Sequence, residues 1–324
     1  MRYLLSIISV VLLLSCNGRT DYDAEPVRVV PLYSMFRDYA AADSSVRKNI
    51  FSHDSIELVA FMQTVSEQEL SDELIESWAS SQPVAVFTPD VDSVFSDTSY
   101  VGHVLGHILK SADDAALVLP DRTYATVVYG RPESVLFVDS VMLIALNHYL
   151  GFEYPGYSHW PVFMRLNKTP EALPYDLAEA LVATSYPFAL QGEDATLLSH
   201  MVYEGVLAHT KMLLVPQATL AGALGYTDAE IKWLEKNESA IWRSIVRDQL
   251  LYDTSEDIIG RMISPAPEVY IVDPAAPGRV GRYIGYRIVE AYLNNNTVSS
   301  VADMFAPGFY KGNSVLVSSG YNPK

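Results

Sequence analysis

Apolar residues recur at helical spacing along most of this chain. The spacing predicts helices over residues 36–51, 100–109, 176–185, 197–214, 228–252 and 283–293. Two segments also have the side-chain order of a capping box ahead of an apolar run, Ser66 to Glu69 and Thr227 to Glu230. The pattern therefore indicates a protein built mainly from helices.

Runs of β-branched and aromatic residues interrupt the helical pattern near the middle of the chain. Three of them, over 125–129, 134–138 and 141–146, are separated by turn residues and predict strands. Two further runs, 84–87 and 269–272, have a β-like composition. No linker-like shift in composition and no internal repeat divides the chain, so we predict one α+β domain over 31–324, mostly helical with a small β-sheet.

The first sixteen residues have the organisation of a bacterial lipoprotein leader. Arg2 precedes an uncharged apolar run over 4–14, which is too short to span a bilayer, and Leu13 to Cys16 resembles a lipobox. We predict a signal peptide over 1–15, acylation of Cys16, and a polar lipidated tether over 16–30. Each buried acyl methylene contributes about 0.8 kcal/mol, so two or three chains would hold the protein on a membrane. The alternative is an ordinary signal peptide with a cysteine near its cleavage site.

Composition and charge narrow the possible roles. The chain has 22 basic and 39 acidic residues and a net charge of −17, which repels phosphate backbones, so no nucleic-acid partner is expected. The only cysteine is Cys16, which excludes an internal disulfide, a cysteine-ligated metal and a thiol redox pair. No dense acidic run that would resemble a surface-export signal follows Cys16. We therefore expect an envelope lipoprotein that faces the periplasm, on either the inner or the outer membrane.

Histidines at helical spacing are the candidate metal ligands. His103 and His107 are four residues apart, but Val104 stands where a metallopeptidase helix has its glutamate, so a half-buried histidine pair is favoured. His200 and Glu204 are also four apart, with His209 one turn further, and form a partial zinc set that lacks a third ligand. A polar stripe that anchors neighbouring helices is the favoured reading. We predict no metal and no cofactor, and keep His200 and Glu204 as weak candidates.

Glycines and arginines are concentrated near the last predicted helix. Gly278 to Gly285 follows a β-like run, but the spacing fits neither a dinucleotide-binding motif nor a P-loop and suggests a turn and a closely packed helix. Arg279, Arg282 and Arg287 are expected to pair with internal carboxylates, although an anion at the helix start is an alternative. There is no Gly-x-Ser-x-Gly elbow, and paired-carboxylate chemistry stays open, so no catalytic residue is assigned.

Four stretches, taken in order, resemble the gliding-motility lipoprotein GldB family of Bacteroidetes. They lie at 143–151, 201–205, 237–252 and 277–289. The resemblance implies a lipid-anchored accessory or binding protein of the cell envelope, with partners in the gliding or secretion machinery. The cellular role is implied only by this resemblance, whereas the residues themselves predict only the lipid anchor and a folded domain.

That family is similar, more distantly, to zinc peptidases of the gluzincin kind, in which a His-Glu-x-x-His helix and a later Glu-Gly pair bind the metal. On this chain the resemblance places Glu179 at the general base and Glu204 at the third ligand, but Ala178 and Val182 replace both histidines. It therefore implies a zincin-like scaffold that is catalytically silent. The alternative is a hydrolase, either a zinc peptidase that uses His200 and Glu204 or a carboxylate enzyme, and it requires Glu179, Glu204 and His200 to converge.

Overall fold

The computed structural model describes residues 24–51, 55–266 and 269–324. The predicted signal peptide, Cys16 and the first part of the predicted tether lie outside the described residues. The helices are α1 Leu32–Ala41, α2 Ser44–Arg47, α3 Ile56–Val65, α4 Asp72–Ala79, α5 Gln82–Val94, α6 Tyr100–Asp114, α7 Val162–Arg165, α8 Leu173–Ser185, α9 Leu197–Leu214, α10 Leu220–Leu224, α11 Asp228–Arg247, α12 Glu256–Ile263, α13 Val280–Asn295, α14 Pro307–Tyr310 and α15 Ser314–Ser319. Of the helices in these ranges, none is both long enough and apolar enough to cross a membrane.

A small mixed sheet lies among these helices. Its strands are β1 Val29–Val30, β2 Thr123–Val127, β3 Val135–Val138 and β4 Val141–Ala145. Their order is β1-β2-β4-β3, in which β2 runs parallel to β1 and β4, and β3 and β4 form an antiparallel hairpin. The three predicted strands are confirmed, and so is the fold class, a mostly helical α+β domain with a small sheet. Strand β1 was not predicted, because two residues are too short to show a period.

The last residues of the predicted tether, 16–30, are packed against the domain. Val29 and Val30 form β1, and the N–H of Val27 donates to the carbonyl of Gly102 at 3.1 Å. A Cβ atom at Gly106 would lie only 2.2 Å from the carbonyl oxygen of Glu25. The glycines of α6 therefore let the incoming chain cross directly over the helix.

Both runs with β-like composition outside the sheet were predicted wrongly. Residues 84–87 lie inside α5, where Val84 and Val91 are buried seven residues apart, on one face of a helix. Residues 269–272 form a turn in which the N–H of Val272 donates to the carbonyl of Val269. In both places the composition favours a strand, but within the described ranges neither segment pairs with a strand, and the surrounding packing decides the conformation.

One predicted capping box is confirmed and one is wrong. Thr227 accepts from the N–H of Glu230 at 3.2 Å, and the Glu230 carboxylate accepts from the N–H of Thr227 at 2.7 Å, so α11 has a complete box. Ser66 instead ends α3, and the helix that follows is capped five residues later by Ser71. Helix α9 matches its prediction, whereas the predicted helix over 36–51 is divided between α1 and α2.

The closest helix pair is α9 against α13. A Cβ atom at Gly205 would lie 2.3 Å from the carbonyl oxygen of Gly285, and one at Gly285 would lie 1.7 Å from that of Met201. Only glycine lets two backbones approach so closely. This contact fixes the register of the two helices and places Glu204, beside Gly205, against Arg282 on α13.

Candidate functional site

Three helices direct charged side chains toward one another. Helix α8 contributes two acidic residues one turn apart, α9 contributes an acid and a lysine two turns apart, and the start of α13 contributes two arginines. The charged cluster, as we define it, consists of Asp176, Glu179, Glu204, Lys211, Arg279 and Arg282. It holds three acidic and three basic side chains, so its formal charges balance within a strongly acidic protein.

Arg282 lies at the centre of the charged cluster. Its Nη1 is 3.4 Å from Glu179 Oε1, and its Nε is 3.1 Å from Glu204 Oε2. Lys211 pairs with the second carboxylate oxygen of Glu179, and the Lys211 side chain is only 5% exposed. Two carboxylates on neighbouring helices are thus joined by one guanidinium, which is the residue type best suited to such a bridge.

The cluster shifts the pKa values of its carboxyl groups in different directions. Burial opposes ionisation of Glu179, but Lys211 and Arg282 outweigh it and hold the pKa of that carboxyl well below its usual value. Burial raises the pKa of Glu204, against the opposing effect of Arg282. Burial and the neighbouring Glu179 raise the pKa of Asp176 to about 6. At neutral pH, Glu179 is therefore firmly ionised, whereas burial brings both Asp176 and Glu204 closer to protonation.

The histidines proposed as metal ligands pack against aromatic rings. The ring of His200 stacks on Phe188 at a centroid distance of 3.9 Å, whereas Glu204 pairs with Arg282. His209 stacks on Tyr286 at 4.3 Å, and burial lowers the pKa of its imidazole to about 4. Glu179 and Glu204 share Arg282, but His200 does not join them. Within the described ranges, no group of three or more His, Cys, Asp or Glu residues is arranged to hold a metal ion.

The residues present do not fit the zinc set that the resemblance implies. Ala178 and Val182 are fully buried apolar side chains and cannot ligate a metal. The oxygens of the two remaining acids already face the N–H groups of Arg282, and Arg282 and Lys211 together balance the two negative charges. A divalent cation between Glu179 and Glu204 would have to displace or be repelled by this guanidinium.

The predicted internal pairing of the arginines holds for two of the three. Arg287 pairs with Glu238 at 3.2 Å and Glu290 at 2.7 Å, and Arg282 pairs as described above. Arg279 instead contacts neutral oxygens. Its Nη1 donates to the carbonyl of Gly225 at 3.4 Å, and its Nη2 lies 3.0 Å from the side-chain oxygen of Asn167 when that amide is oriented with its oxygen toward the guanidinium.

His103 and His107 lie on α6 and are half-buried. The glycines beside them, Gly102 and Gly106, are the ones that contact the incoming chain near Val27. The two histidines therefore lie on α6 next to the glycine face of that helix, and this face packs against the backbone of the incoming chain.

A second polar group escaped sequence analysis. We call Ser134, His148 and Lys168 the serine–lysine group. Lys168 Nζ lies 2.6 Å from Ser134 Oγ and 3.4 Å from His148 Nδ1, and Ser134 Oγ lies 3.1 Å from His148 Nδ1. The residues come from the loop before β3, the turn after β4 and the loop after α7. No local pattern links them, although the 143–151 stretch of the resemblance contained His148.

Tyr149 joins this group to the charged cluster. Its ring is fully buried, and its hydroxyl donates to Asp176 Oδ2 at 2.9 Å. Burial chiefly raises the pKa of Tyr149, and a hydrogen bond with Ser134 acts in the opposite direction. One phenol therefore contacts a member of each group, and the two form a continuous polar network.

Together the fold and the site define a mostly helical α+β protein that carries a partly buried, charge-balanced cluster where three helices meet. The chain matches the family model described as gliding motility protein GldB over residues 21–323, and it belongs to that family. No curated protein and no solved structure matches the chain. Membership supports the expected class, a cell-envelope lipoprotein associated with gliding motility.

Proposed function

We propose that this protein is a lipid-anchored accessory protein that faces the periplasm and supports the gliding or secretion machinery without metal-dependent catalysis. The lipobox at Cys16 and the family membership support the anchor and the cellular role. On this proposal the helical body is a zincin-like scaffold that has kept the acidic positions Glu179 and Glu204 and lost both histidine ligands. Its contribution is binding to other envelope proteins.

The observation that carries the silent-scaffold proposal is the position of Arg282. Its guanidinium bridges Glu179 and Glu204, the two acids that the resemblance assigns to the general base and the third ligand. A general base must be free to accept a proton from a bound water, but both oxygens of Glu179 are paired with cations, and these cations hold the pKa of its carboxyl low and make it a weak base. The arrangement ties together the three helices that carry these side chains and occupies both acids with cations.

Elemental analysis tests this proposal against the zinc-hydrolase alternative. The full protein should be purified without chelator, together with His200→Ala and, as a matched control, His159→Ala, whose side chain is exposed. We expect far less than about one zinc per chain in all three proteins. About one zinc per chain that is lost only in His200→Ala would overturn the silent-scaffold proposal and support the peptidase.

Membrane fractionation and crosslinking test the anchor and the binding role. Cys16→Ala should release the protein from the membrane fraction, because acylation needs the thiol. After mild crosslinking in cells, the tagged wild-type protein should recover envelope proteins that the Cys16→Ala variant recovers poorly. Recovery of nothing beyond abundant porins, from either variant, would count against an accessory role.

A further inference from the structure

We propose that Ser134 is a nucleophile that accepts an acyl group from a carboxylic ester, and that Lys168 is the base that takes its proton. The inference concerns the serine–lysine group and does not depend on the accessory role, which was argued from the anchor, the family and Arg282. Its failure would leave that role unchanged, and the loss of that role would leave this inference standing.

The first support is the contact between the hydroxyl and the amine. At 2.6 Å, Ser134 Oγ and Lys168 Nζ are within direct proton-transfer distance, and a nucleophile in hydrogen-bond reach of a base is the basic requirement for covalent catalysis. Both side chains are half-buried, so they are held in place but still reach solvent. The imidazole of His148 is almost completely buried, at 2% exposure, and its Nδ1 contacts both groups and fixes their orientation.

Burial of Lys168 favours the neutral amine. Among the described residues, its Nζ contacts the uncharged Ser134 hydroxyl and His148 ring, and it lies 5.0 Å from the face of Trp160, a contact that by itself favours the cation. Burial lowers the pKa of Lys168, with Asp176 acting in the opposite direction. His148 stays neutral, because burial and Lys168 lower the pKa of its imidazole to about 3. A desolvated lysine can lose its proton and act as a base, whereas a lysine that is paired with a carboxylate stays protonated.

An aromatic wall beside the group indicates the class of ester. Trp160 stacks flat on Tyr157, with ring centroids 5.2 Å apart, and its edge meets the His148 ring at 5.5 Å. An aliphatic or aromatic group of the ester would pack on this wall. The neutral amine of Lys168 removes the Ser134 proton as Oγ forms a bond to the acyl carbon. The bond from that carbon to the leaving alkoxide then breaks, and the alkoxide takes the proton from Lys168, which leaves a serine ester and a free alcohol.

A fluorophosphonate probe tests the inference directly. Ser134 Oγ would attack phosphorus and release fluoride, while the proton stays on Lys168. The full lipid-anchored protein in detergent should be labelled at pH 8.5, with Ser134→Ala and, as a matched control from the same hairpin, the exposed Ser140→Ala. We expect the label on the peptide that contains Ser134, a loss of at least about tenfold in Ser134→Ala, and no change in Ser140→Ala.

The role of Lys168 needs a variant that keeps the positive charge. Lys168→Arg keeps a cation near Ser134 but stays protonated at all accessible pH values, so labelling should fall at least about tenfold while the melting temperature stays close to that of wild type. In wild type the labelling rate should rise with pH as Lys168 deprotonates, and this rise should be absent in Lys168→Arg. Labelling no stronger than in the heat-unfolded protein, or labelling that persists in Ser134→Ala, would overturn the proposal.

Discussion

The charged cluster and the serine–lysine group are joined through Tyr149, yet they hold their cations in opposite ways. In the cluster, Lys211 and Arg282 contact ionised carboxylates. In the serine–lysine group, Lys168 contacts a hydroxyl, an imidazole and an aromatic face. Paired charges in a protein interior tie helices together, whereas a cation with neutral partners is free to change its protonation state. The first region is therefore suited to holding the fold and the second to chemistry.

The largest effect should come from separating the helices that carry the charged cluster. In Gly285→Ala, the new methyl group would lie 1.7 Å from the Met201 carbonyl oxygen, so α13 has to move away from α9. We expect the free energy of unfolding to fall by about 3 kcal/mol or more, measured by urea denaturation. The control is Gly260→Ala in α12, where a Cβ atom meets nothing within 4 Å. That variant should be at least as stable as wild type, because alanine is the better helix former.

Removing the central cation should cost nearly as much. Arg282→Met leaves Glu179 and Glu204 facing each other without the guanidinium that joins them, and we expect a loss of about 3 kcal/mol at pH 7. The deficit should shrink as the pH is lowered and the carboxylates become protonated. Arg261→Met, which removes an exposed arginine whose side chain is 62% exposed, should show no measurable change. Equal losses in the two variants would remove the distinction between buried and exposed pairs.

Asp176, on the boundary between the two regions, should give the protein a pH dependence of its own. Because its folded pKa of about 6 lies above the ordinary value of 3.8, the folded state binds a proton more readily than the unfolded chain. Stability should therefore rise by about 1 kcal/mol as the pH falls from 7 to 5. Asp176→Asn should lack this contribution. Parallel stability curves for the two proteins over this range would contradict the raised pKa.

The smallest effect should come from the cation with neutral partners. Lys168→Met leaves no contacting carboxylate unpaired, and it replaces the lysine stem with an apolar chain of similar volume beside Trp160. We expect the free energy of unfolding to change by less than about 1 kcal/mol. A loss as large as that of Arg282→Met would show that the serine–lysine group also holds the fold, and would erase the contrast between the regions.

Much of the fold follows from local patterns, because helices and hairpins are stabilised by residues near one another in sequence. Helix α9 matches its predicted range, since its apolar residues, its cap at Thr196 and its end all lie within one segment. Residues 84–87 were assigned wrongly because their composition was read without their neighbours. Whether a valine-rich run joins a sheet depends on a partner strand that the segment itself does not show.

The candidate site follows from local patterns only in part. The resemblance picked out Glu179 and Glu204, and Arg282 was expected to pair with internal carboxylates, but Arg282 lies 103 positions beyond Glu179 and no local pattern showed which carboxylates it would join. The serine–lysine group draws its members from three loops, and loop residues carry no period from which a shared position could be read. The spacing of His200 and Glu204 was a poor guide, because neighbours on one helix face can serve different partners.

On the proposal that Cys16 is acylated, the crossing of the incoming chain over α6 limits how far the body can stand from a membrane. The backbone at Glu25 lies against Gly106, so only eight residues separate Cys16 from this contact with the domain, rather than the full predicted tether. Even fully extended, such a leash spans only about 30 Å, which is about the thickness of one bilayer core. On that proposal, the side of the body where the chain enters stays within this distance of the lipid, so a partner could reach that side only in a shallow layer at the membrane surface.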